Sequence, residues 1–544
     1  MSDAIYDVPY PQNEPIMGYA HGSPEKKELK AALKKMAGEK IDIPLVIGGE
    51  EVRTGQLADC VMPHQHKHQL GQYHKGGEAE VKKAIKAAQK AKKDWANTPF
   101  QHRAAILLKA AELLAGRYRM VLNAATMLGQ SKNPFQAEID SACELIDFWR
   151  YNPHYAQQIM GEQPDSAPGM WNMLEQRPLD GFVFAVTPFN FTSIAGNLPT
   201  APALMGNTVV WKPASSSVFS GHYIMQILKE AGMPDGVINF VPGSGGQVGN
   251  PVMSSPDLAG VHFTGSTGVF QAMWKQIGTN IHNYGCYPRI VGETGGKDFI
   301  FAHPSADVDA LVVAMVRGAF EYQGQKCSAA SRAYIPQGMW KEVKKKLVDM
   351  VATIQMGDVT DFRTFMGAVI DKNAFGSISG FIDRAKKAKG QAKIIAGGKC
   401  DDSVGYFVEP TVIEASDPGY ETMVEEIFGP VLTVYVYEEK DLLKTLRLCD
   451  TSSAYALTGA IWAQDRAAII KMKDELVGTA GNFYINDKPT GAVVGQQPFG
   501  GSRASGTNDK AGSYLNLIRW SSPRTVKETF DPPRDYLYPY MSAR

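Results

Sequence analysis

Residues 182–186, FVFAV, are the first of four short apolar runs that alternate with helix-length segments. The other runs are TVVWKP (208–213), VINFV (237–241) and GVHFTG (260–265). Strands separated by helices predict right-handed crossovers and a parallel sheet with helices on both faces. Because ligands of such sheets bind beyond the carboxyl ends of the strands, we expect functional residues directly after these runs.

A second set of apolar runs predicts a second α/β unit between residues 298 and 490. Its strand-like segments are FIFAH, RAYIP, VLTVYVY, ALTGAIWA and AGNFYIND. Helices are predicted over 25–40, 81–95 and 103–116 and from 136 onward, and LIRWSSPRTVKETF near the end has extended character. The sequence therefore predicts two α/β lobes and a projecting tail, with a cleft expected between the lobes.

Composition limits the classes of protein to which the chain can belong. The 544 residues include 56 Lys plus Arg and 56 Asp plus Glu, and this zero net charge gives no electrostatic reason to expect nucleic acid or an anionic membrane as a partner. The six cysteines are scattered, no apolar run approaches the length of a membrane span, and the first residues resemble neither a secretion signal nor a transit peptide. We expect a cytoplasmic protein, or one of the mitochondrial matrix if a leader has been removed.

Two glycine-rich turns after successive predicted strands suggest a dinucleotide site. PGSGGQVG at 242–249 does not keep the spacing of the G-x-G-x-x-G fingerprint, so an ordinary turn is an equally good interpretation of it. In FTGSTGVF at 263–270, Gly265, Ser266 and Gly268 could bring backbone amides close to a phosphate at a helix start. The two turns together are a stronger indication than either alone.

Cys327 is the candidate nucleophile. Its surroundings, GQKCSAAS at 324–331, are small and polar, unlike an apolar core strand, and such a loop can leave backbone N–H groups free to receive an anion. Lys326 adds positive charge, so we expect both features to favour the thiolate over an unperturbed pKa of about 8.5. An inert buried thiol is the commoner fate of a cysteine, and the residues alone leave both interpretations open.

Glu293 and Asn190 are the other polar candidates. Glu293 in VGETGGKD ends a strand run and could act as a general base, with Gly295 and Gly296 leaving room for a ligand. A helix N-cap contact is the alternative for this carboxylate. Asn190 in TPFNF could donate a hydrogen bond to a developing oxyanion, although asparagine near proline is more often a turn residue.

Metal chemistry has one candidate segment, CVMPHQHKH at 60–68. His64, His66 and His68 alternate there, with Cys60 just upstream, in a geometry that zinc or copper could use. A hairpin with exposed imidazoles is the preferred interpretation, and we expect no metal site. The sequence also contains no H-E-x-x-H, C-x-x-C, G-x-S-x-G or Walker lysine motif, so hydrolytic triads and P-loop chemistry lose their usual support.

Taken together, the motifs resemble the aldehyde dehydrogenase superfamily. They occur in the order TPFNF, WKP, FTGS, ETGGK, GQKCSA, EEIFGP and PFGGSRASG, and the resemblance extends from about residue 40 to the end. AEIDSACELIDFWRYN, APALMGNTVVWKP and NFYINDKPTGAVVGQQPFGGSRASG are similar to one branch, the delta-1-pyrroline-5-carboxylate dehydrogenases. The resemblance implies a Rossmann-type NAD-binding domain over 1–158 and 180–292, an α/β catalytic domain over 293–495, and a small β oligomerisation flap and C-terminal tail over 159–179 and 512–544.

The resemblance also implies a role for each matching residue. Cys327 becomes the nucleophile, Glu293 the base that activates water, and Asn190, with the backbone N–H of Cys327, the oxyanion hole. The residues implied to bind NAD are Thr187, Lys212, Gly265, Ser266, Thr267, Gly268, Val269, Glu426 and Phe428. Those implied to bind the substrate are Glu144 at the α-amino group, Ser328 with Gly491 and Ala492 at the α-carboxylate, and Phe191 and Phe499 around the aliphatic part.

Two positions depart from the pattern. Ala492 stands where some members of the branch have serine, so a backbone amide must replace any hydroxyl contact to the carboxylate. Ser215 stands where the superfamily often has a glutamate three residues after the WKP lysine. Because that carboxylate would bond the adenosine ribose and repel a 2′-phosphate, its absence leaves NAD preferred and NADP open.

The implied activity is NAD-dependent oxidation of L-glutamate γ-semialdehyde, formed from delta-1-pyrroline-5-carboxylate in proline catabolism, to L-glutamate. It would proceed through a cysteine thiohemiacetal and a thioester. The alternatives are an aldehyde dehydrogenase for a different carboxylated or amino aldehyde, and a catalytically silent fold with a binding or structural role. The extended tail implies a homodimer or higher homo-oligomer, and direct transfer of substrate from a proline dehydrogenase stays open.

Overall fold

The structure, a computed structural model, describes residues 7–541, and these form 23 strands and 17 α-helices. Residues 1–6 and 542–544 of the predicted terminal segments lie outside the described residues. The strands are β1 Ile41–Ile43, β2 Leu45–Ile47, β3 Glu50–Val52, β4 Leu57–Met62, β5 Gln65–His74, β6 Met170–Arg177, β7 Phe182–Val186, β8 Val209–Lys212, β9 Ile238–Phe240, β10 Leu258–Thr264, β11 Arg289–Glu293, β12 Asp298–Ala302, β13 Ala330–Pro336, β14 Ala392–Ala396, β15 Cys400–Asp401, β16 Phe407–Val408, β17 Thr411–Ala415, β18 Val431–Tyr437, β19 Tyr455–Ala456, β20 Thr458–Trp462, β21 Asn482–Ile485, β22 Ser502–Arg503 and β23 Ser522–Thr529.

The helices precede, separate and cover these strands. They are α1 Pro24–Gly38, α2 Glu78–Asn97, α3 Phe100–Ala115, α4 Arg119–Gln130, α5 Pro134–Ala137, α6 Glu144–Gly161, α7 Thr192–Leu204, α8 Val218–Ala231, α9 Gly245–Met253, α10 Thr267–Thr279, α11 Val308–Phe320, α12 Gln337–Ala352, α13 Lys372–Lys387, α14 Glu421–Val424, α15 Leu442–Thr451, α16 Arg466–Glu475 and α17 Tyr514–Leu517. A π-helical turn at Glu138–Cys143 joins α5 to α6. Among the described residues, no helix is both long enough and apolar enough to cross a membrane.

The first large sheet has the strand order β11-β10-β7-β8-β9-β2-β3, and β7 to β11 pair in parallel. The four apolar runs that predicted it are confirmed as β7, β8, β9 and β10. Alternate residues of β7 pack into different cores, Val183 and Ala185 on one face and Phe182 and Phe184 on the other. Burial on both faces explains why the strand is apolar throughout.

The second large sheet has the order β14-β17-β18-β13-β12-β20-β21, and all its pairs except β14 with β17 are parallel. All five predicted runs of the second unit lie in this sheet, which confirms the prediction of a second α/β unit. Ile300 and Ala302 pack on one face of β12, and Phe299 and Phe301 on the other. This sheet is therefore also covered on both sides.

The projecting element is a two-stranded antiparallel sheet in which β6 pairs with β23 from Met170–Thr529 to Arg177–Ser522. The predicted extended character of residues 517–530 is right for β23 and wrong for 517–520, which are helical. The reason is packing: the fully buried Trp520 ring lies 4.6 Å from the His262 ring of β10 and donates a hydrogen bond to Asn516 Oδ1.

Candidate active site

A cavity of about 410 Å³ brings distant parts of the chain together. Its wall comes from segments 135–147, 191–194, 317–328 and 488–499, together with residues 13–16. Seven predicted site residues line it: Cys327, Glu144, Phe191, Ser328, Gly491, Ala492 and Phe499. Because the candidate nucleophile and all six predicted substrate contacts share this one space, we take it as the candidate active site.

Cys327 lies between the turn Glu321–Gly324 and β13 and is 9% exposed. Burial raises the pKa of its thiol well above the usual value, and the carboxyl groups of Asp298, Glu293 and Glu426 raise it further. The thiol therefore keeps its proton in the free protein.

The expectation that Lys326 favours the thiolate is wrong. Its Nζ lies 3.4 Å from Asp140 Oδ2 and 3.6 Å from Glu321 Oε2. Two carboxylates offset its charge, and the pKa of the Cys327 thiol is raised and not lowered.

The turn before Cys327 has an unusual backbone. Tyr322 and Gln323 have φ of 51° and 56°, in the left-handed region that side chains other than glycine rarely adopt. The buried Gln323 amide holds this conformation: Nε2 donates to Ser131 O at 3.0 Å and to Ala368 O at 2.9 Å, and Oε1 accepts from Gly367 N at 3.0 Å. The nucleophile thus follows a strained turn that three hydrogen bonds fix in place.

Asn190 lies beside the same loop, immediately before Phe191 and α7. Its Nδ2 donates to Gln325 O at 3.0 Å, two residues before Cys327, and the side chain is 4% exposed. An amide nitrogen carries two hydrogens, and within residues 7–541 this is the one hydrogen bond that Nδ2 makes. The second hydrogen has no partner among these residues.

Glu293 is the last residue of β11, so the N-cap interpretation is wrong. Its Oε2 accepts from Gly501 N at 3.2 Å, and burial raises the pKa of its carboxyl well above the usual value. A raised pKa makes the carboxylate a stronger base, and its charge is one of those that raise the pKa of the Cys327 thiol.

Glu144 begins α6, directly after the π-helical turn, and lies on the cavity wall with Asp140 and Asp147. Its Oε2 accepts a hydrogen bond from Ser193 Oγ at 2.5 Å. Burial, and then the neighbouring Asp140, raise the pKa of Glu144 to about 8. We therefore expect the Glu144 carboxyl group to ionise when a cation enters the cavity.

Another part of the wall carries hydroxyl and backbone groups. Ser328 Oγ donates to Thr490 Oγ1 at 2.9 Å, and Lys488 Nζ donates to Thr490 O at 3.0 Å. Gly491 has φ of 99°, and a Cβ there would lie 2.8 Å from Lys488 Nζ. Only glycine fits this turn without strain.

Sequence reasoning missed the buried ion pair of Lys132 and Asp140, close to Glu144. Lys132 Nζ lies 2.5 Å from Asp140 Oδ2 and 4.4 Å from the centroid of the Phe191 ring. Burial lowers the pKa of Lys132 to about 8. Asp140 could have been found, because Asp140, Glu144 and Asp147 recur at helical spacing, whereas nothing local marks Lys132.

The predicted cofactor residues do not line this cavity, and several share one edge of the first sheet. Thr187 follows β7, Lys212 ends β8, and Gly265 follows β10. These strands are adjacent and parallel, so their carboxyl ends meet. Thr187 Oγ1 accepts from Trp211 Nε1 at 2.9 Å, and burial lowers the pKa of Lys212 to about 8.

The start of α10 can accept a phosphate. Ser266 is its N-cap residue but forms no side-chain capping bond, and Gly268 and Val269 are exposed. No heavy atom lies within 4 Å of a Cβ built at Gly268. The first amides of this 13-residue helix, including that of Thr267, are therefore open to an anion.

Glu426 contacts Gly295 and Gly296, which follow strand β11 of the first sheet. Its Oε1 accepts from Gly296 N at 2.9 Å, and a Cβ at Gly295 would lie 2.3 Å from its Oε2. Burial raises the pKa of this carboxyl. Phe428, with φ of 55°, places its ring edge-to-face at 5.9 Å from Phe189, next to Asn190.

Replacing Gly296 by alanine is expected to damage the site. A Cβ there would lie 2.2 Å from Cys327 O and 2.4 Å from Asp298 Oδ2, and overpacking of this kind costs about 1–3 kcal/mol. We expect a lower Tm and a loss of activity, measured by calorimetry and steady-state kinetics. Gly278→Ala, in α10 with nothing within 4 Å of its Cβ, is the control; equal behaviour of both variants would show that the close contact is not real.

The side chains of His64, His66 and His68 bond to three different parts of the chain and do not share a site. His64 Nδ1 bonds Ser131 Oγ at 3.1 Å, His66 Nε2 bonds Asp402 O at 2.8 Å, and His68 Nε2 bonds Ala37 O at 2.8 Å. The predicted hairpin is confirmed as β4–β5, but His64 is buried and not exposed. In the described part of the chain, no group of three or more His, Cys, Asp or Glu could hold a metal ion.

The fold and the cavity with its cysteine are those of an aldehyde dehydrogenase, and the family model described as "Aldehyde dehydrogenase family" matches residues 51–526. The chain belongs to this family. The delta-1-pyrroline-5-carboxylate dehydrogenase, mitochondrial, of Dictyostelium discoideum is 53% identical to it over 538 residues, covering 98% of this chain and 96% of that protein. The delta-1-pyrroline-5-carboxylate dehydrogenase of Agaricus bisporus is 50% identical, with 98% of each chain covered.

A solved structure agrees with these matches. The delta-pyrroline-5-carboxylate dehydrogenase from Mycobacterium tuberculosis, bound with NAD, has a TM-score of 0.96 and 53% sequence identity over 100% of both chains. The predicted family and fold class are confirmed, and these relatives carry the name of the branch that the motifs predicted.

Proposed function

We propose that the chain oxidises L-glutamate γ-semialdehyde, the open form of delta-1-pyrroline-5-carboxylate, to L-glutamate with NAD. The observation that carries this is the cavity that Cys327 shares with an acid, Glu144, and with the bonded hydroxyl groups of Ser328 and Thr490, next to Gly491. An aldehyde with a zwitterionic head needs these two kinds of partner at fixed positions when it leaves water.

NAD fits the carboxyl edge of the first sheet. Thr187 and Lys212 would lie at the adenosine side, the open amides of residues 265–269 would receive the pyrophosphate, and Glu426 would bond the nicotinamide ribose with Phe428 beside it. Bound NAD supplies the hydride acceptor. Glu426 also accepts a hydrogen bond from Gly296, in the segment between Glu293 and Asp298. The same carboxylate can therefore align the cofactor with this segment.

In the first half of the reaction, the Cys327 thiol releases its proton to solvent and the sulfur adds to the aldehyde carbon. The carbonyl oxygen becomes an oxyanion, and the free N–H of Asn190 with the backbone N–H of Cys327 would stabilise it. Losing one such donor typically costs about 2.7–4 kcal/mol of barrier. Because burial and three carboxyl groups keep the thiol protonated, we expect the addition step to accelerate as pH rises.

In the second half, after the carbon of the adduct would have given up its hydride and the oxyanion would have become a carbonyl again, the acyl group is a thioester on Cys327. Glu293 accepts a proton from a water molecule, the hydroxide adds to the thioester carbon, and the sulfur leaves as L-glutamate is released. The carboxylate suits this role because burial has raised its pKa. Phe191 and Phe499, both on the cavity wall, would enclose the methylene groups and limit water in the cavity.

A substrate panel tests the proposal. With NAD, we expect steady-state NADH formation from pyrroline-5-carboxylate and a much lower kcat/KM for hexanal, which has no charged head group. Equal efficiency on both would overturn the assignment. Preference for another amino or carboxylated aldehyde would identify the rival member of the family, and no turnover of any aldehyde would favour a silent fold.

The KM for the semialdehyde is expected to fall as pH rises towards the pKa of Glu144, which is about 8 in the free protein. Below that pH the acid is mostly protonated and must release its proton before it can bind an ammonium group, so affinity weakens by up to about tenfold per pH unit. The measurement is KM against pH for wild type and Glu144→Gln.

The glutamine variant is the control, because both proteins meet the same equilibrium between pyrroline-5-carboxylate and its open form. Its KM profile is expected to lack the component assigned to Glu144. 5-Oxopentanoate, which keeps the carboxylate and lacks the amino group, should show no difference in pH dependence between the two proteins. The same Glu144-dependent slope for both substrates would contradict the ammonium role.

The proposal includes a homo-oligomer. Trp171 of β6 and Phe530 after β23 are 54% and 63% exposed on the projecting sheet, which supports a contact with a second copy through this flap. Light scattering after gel filtration tests it, and a monomer at micromolar concentration would contradict it. The six free cysteines support a reducing compartment, either the cytoplasm or the mitochondrial matrix. The domain limits stay predictions. Direct transfer of substrate from a proline dehydrogenase also stays a prediction.

A further inference from the structure

The N-terminal arm, residues 7–19, forms one wall of the candidate active site. Asn13, Glu14 and Ile16 line the cavity. Ile16 is 54% exposed, so this wall borders solvent. Neither the motifs nor the resemblance gave these residues a role.

Asn13 joins two other walls of the cavity. Its Nδ2 donates to Asp147 Oδ2 of α6 and to Val494 O, both at 2.8 Å, and its Oδ1 accepts from Gln496 Nε2 at 2.9 Å. Helix α6 begins at Glu144, and Val494 follows the Gly491–Ala492 turn by two residues. One side chain thus holds together the two elements that we propose bind the ammonium and carboxylate groups.

Charges fix the arm on either side of Asn13. Glu14 pairs with the buried Arg119 and with Arg150 Nη1 at 2.6 Å, and its backbone N–H donates to Asp147 Oδ1 at 2.7 Å. Tyr19 OH donates to Glu138 Oε2 at 2.6 Å, inside the protein. Because these partners are largely buried, the arm is an anchored wall and not a loose terminus.

We propose that the arm sets the greatest length of aldehyde that the cavity accepts, and that Asn13 is a positioning residue for the Gly491–Ala492 turn. The inference rests on the proposed function, since it assumes the head-group contacts described above. A longer aldehyde held by the same contacts must displace the arm before its carbonyl can reach Cys327. L-Glutamate γ-semialdehyde reaches Cys327 without displacing the arm.

The test compares Asn13→Ala with wild type on the semialdehyde and on 2-amino-7-oxoheptanoate, which is two methylene groups longer. For the variant we expect KM for the semialdehyde to rise about tenfold with kcat within about twofold, because two hydrogen bonds to the turn and helix are lost. The ratio of kcat/KM for the long aldehyde to that for the short one should rise about tenfold. An unchanged ratio would overturn the inference.

Two further variants separate this role from a general effect on the arm. Gln157→Ala removes the bond from Val8 N to Gln157 Oε1, 2.6 Å long, outside the cavity, and should behave as wild type. Asn13→Asp keeps the shape but loses both donated bonds, so it should behave as Asn13→Ala. A wild-type ratio in Asn13→Asp, or the same shift in Gln157→Ala, would contradict the positioning role.

A second readout does not depend on turnover. The rate of Cys327 alkylation by a fluorescein derivative of iodoacetamide, relative to iodoacetamide itself, should rise severalfold in Asn13→Ala and stay constant in Gln157→Ala. Equal relative rates in all proteins would refute the arm as a size limit. Failure of wild type to oxidise the semialdehyde would refute the proposed function, while the alkylation result would still decide the role of the arm.

Discussion

Replacing Cys327 by serine is expected to lower kcat/KM for the semialdehyde by about 10⁴-fold or more, since loss of a catalytic nucleophile has effects of this order. A hydroxyl is a far weaker nucleophile than a thiol, and no other cysteine shares Cys327's position between the turn Glu321–Gly324 and β13. NADH formation measures the loss. NAD binding, measured by calorimetry, should be nearly unchanged.

The matched control is Cys400→Ser, because Cys400 is partly exposed, lies in β15 and does not line the cavity. Its activity should equal that of wild type. If Cys327→Ser kept more than about one hundredth of the activity, the sulfur would not be the nucleophile.

Replacing Glu293 by glutamine is expected to lower the steady-state rate by about 10²–10⁴-fold, the usual contribution of a general base. The first turnover should survive, because removing this carboxylate lowers the pKa of the Cys327 thiol and does not hinder the addition. We therefore expect a burst of about one NADH per active site, followed by slow turnover. Rapid mixing measures the burst, and intact mass spectrometry the acyl group on Cys327.

A variant with no burst at all would show that Glu293 acts before the thioester forms, and a burst without a trapped acyl group would show that hydrolysis of the thioester does not need Glu293. The control is Glu425→Gln, an exposed carboxylate beside Glu426. It should give the steady-state rate of wild type.

The sequence predicted the two parallel sheets well because strands buried on both faces leave a continuous apolar run, as in β7 and β12. The short antiparallel strands at the edge of the first sheet could not be predicted in this way. β2 is three residues long, β3 is EEV, and both pair at the edge of the first sheet beside β9. Short edge strands carry little pattern of their own, and tertiary pairing decides their conformation.

The candidate site was predicted where its residues belong to local motifs and missed where it depends on long-range packing. Cys327, Glu293 and Asn190 stand in recognisable segments. Asn13 reaches the cavity from a position 481 residues away from Val494 in the chain, and nothing in its own surroundings marks it.

The error on Lys326 has the same origin. A charge next to a thiol in sequence suggests a lowered pKa, but its ammonium group is directed to Asp140 and Glu321. Asp298, which does act on the sulfur, is raised in pKa by its own burial. Sequence shows which charges are present; only the fold shows which of them face one another.

The central claim is that Cys327 is the nucleophile in a cavity that binds glutamate. Its most direct test is peptide mapping after limited alkylation with iodoacetamide at mildly alkaline pH. Cys286 and Cys400 are partly exposed and serve as internal references. We expect L-glutamate, the product, to slow labelling of Cys327 severalfold while the two references are unchanged, and hexanoate to give no protection. Labelling of Cys327 that is equally fast with and without glutamate, or protection by hexanoate as strong as that by glutamate, would contradict the account.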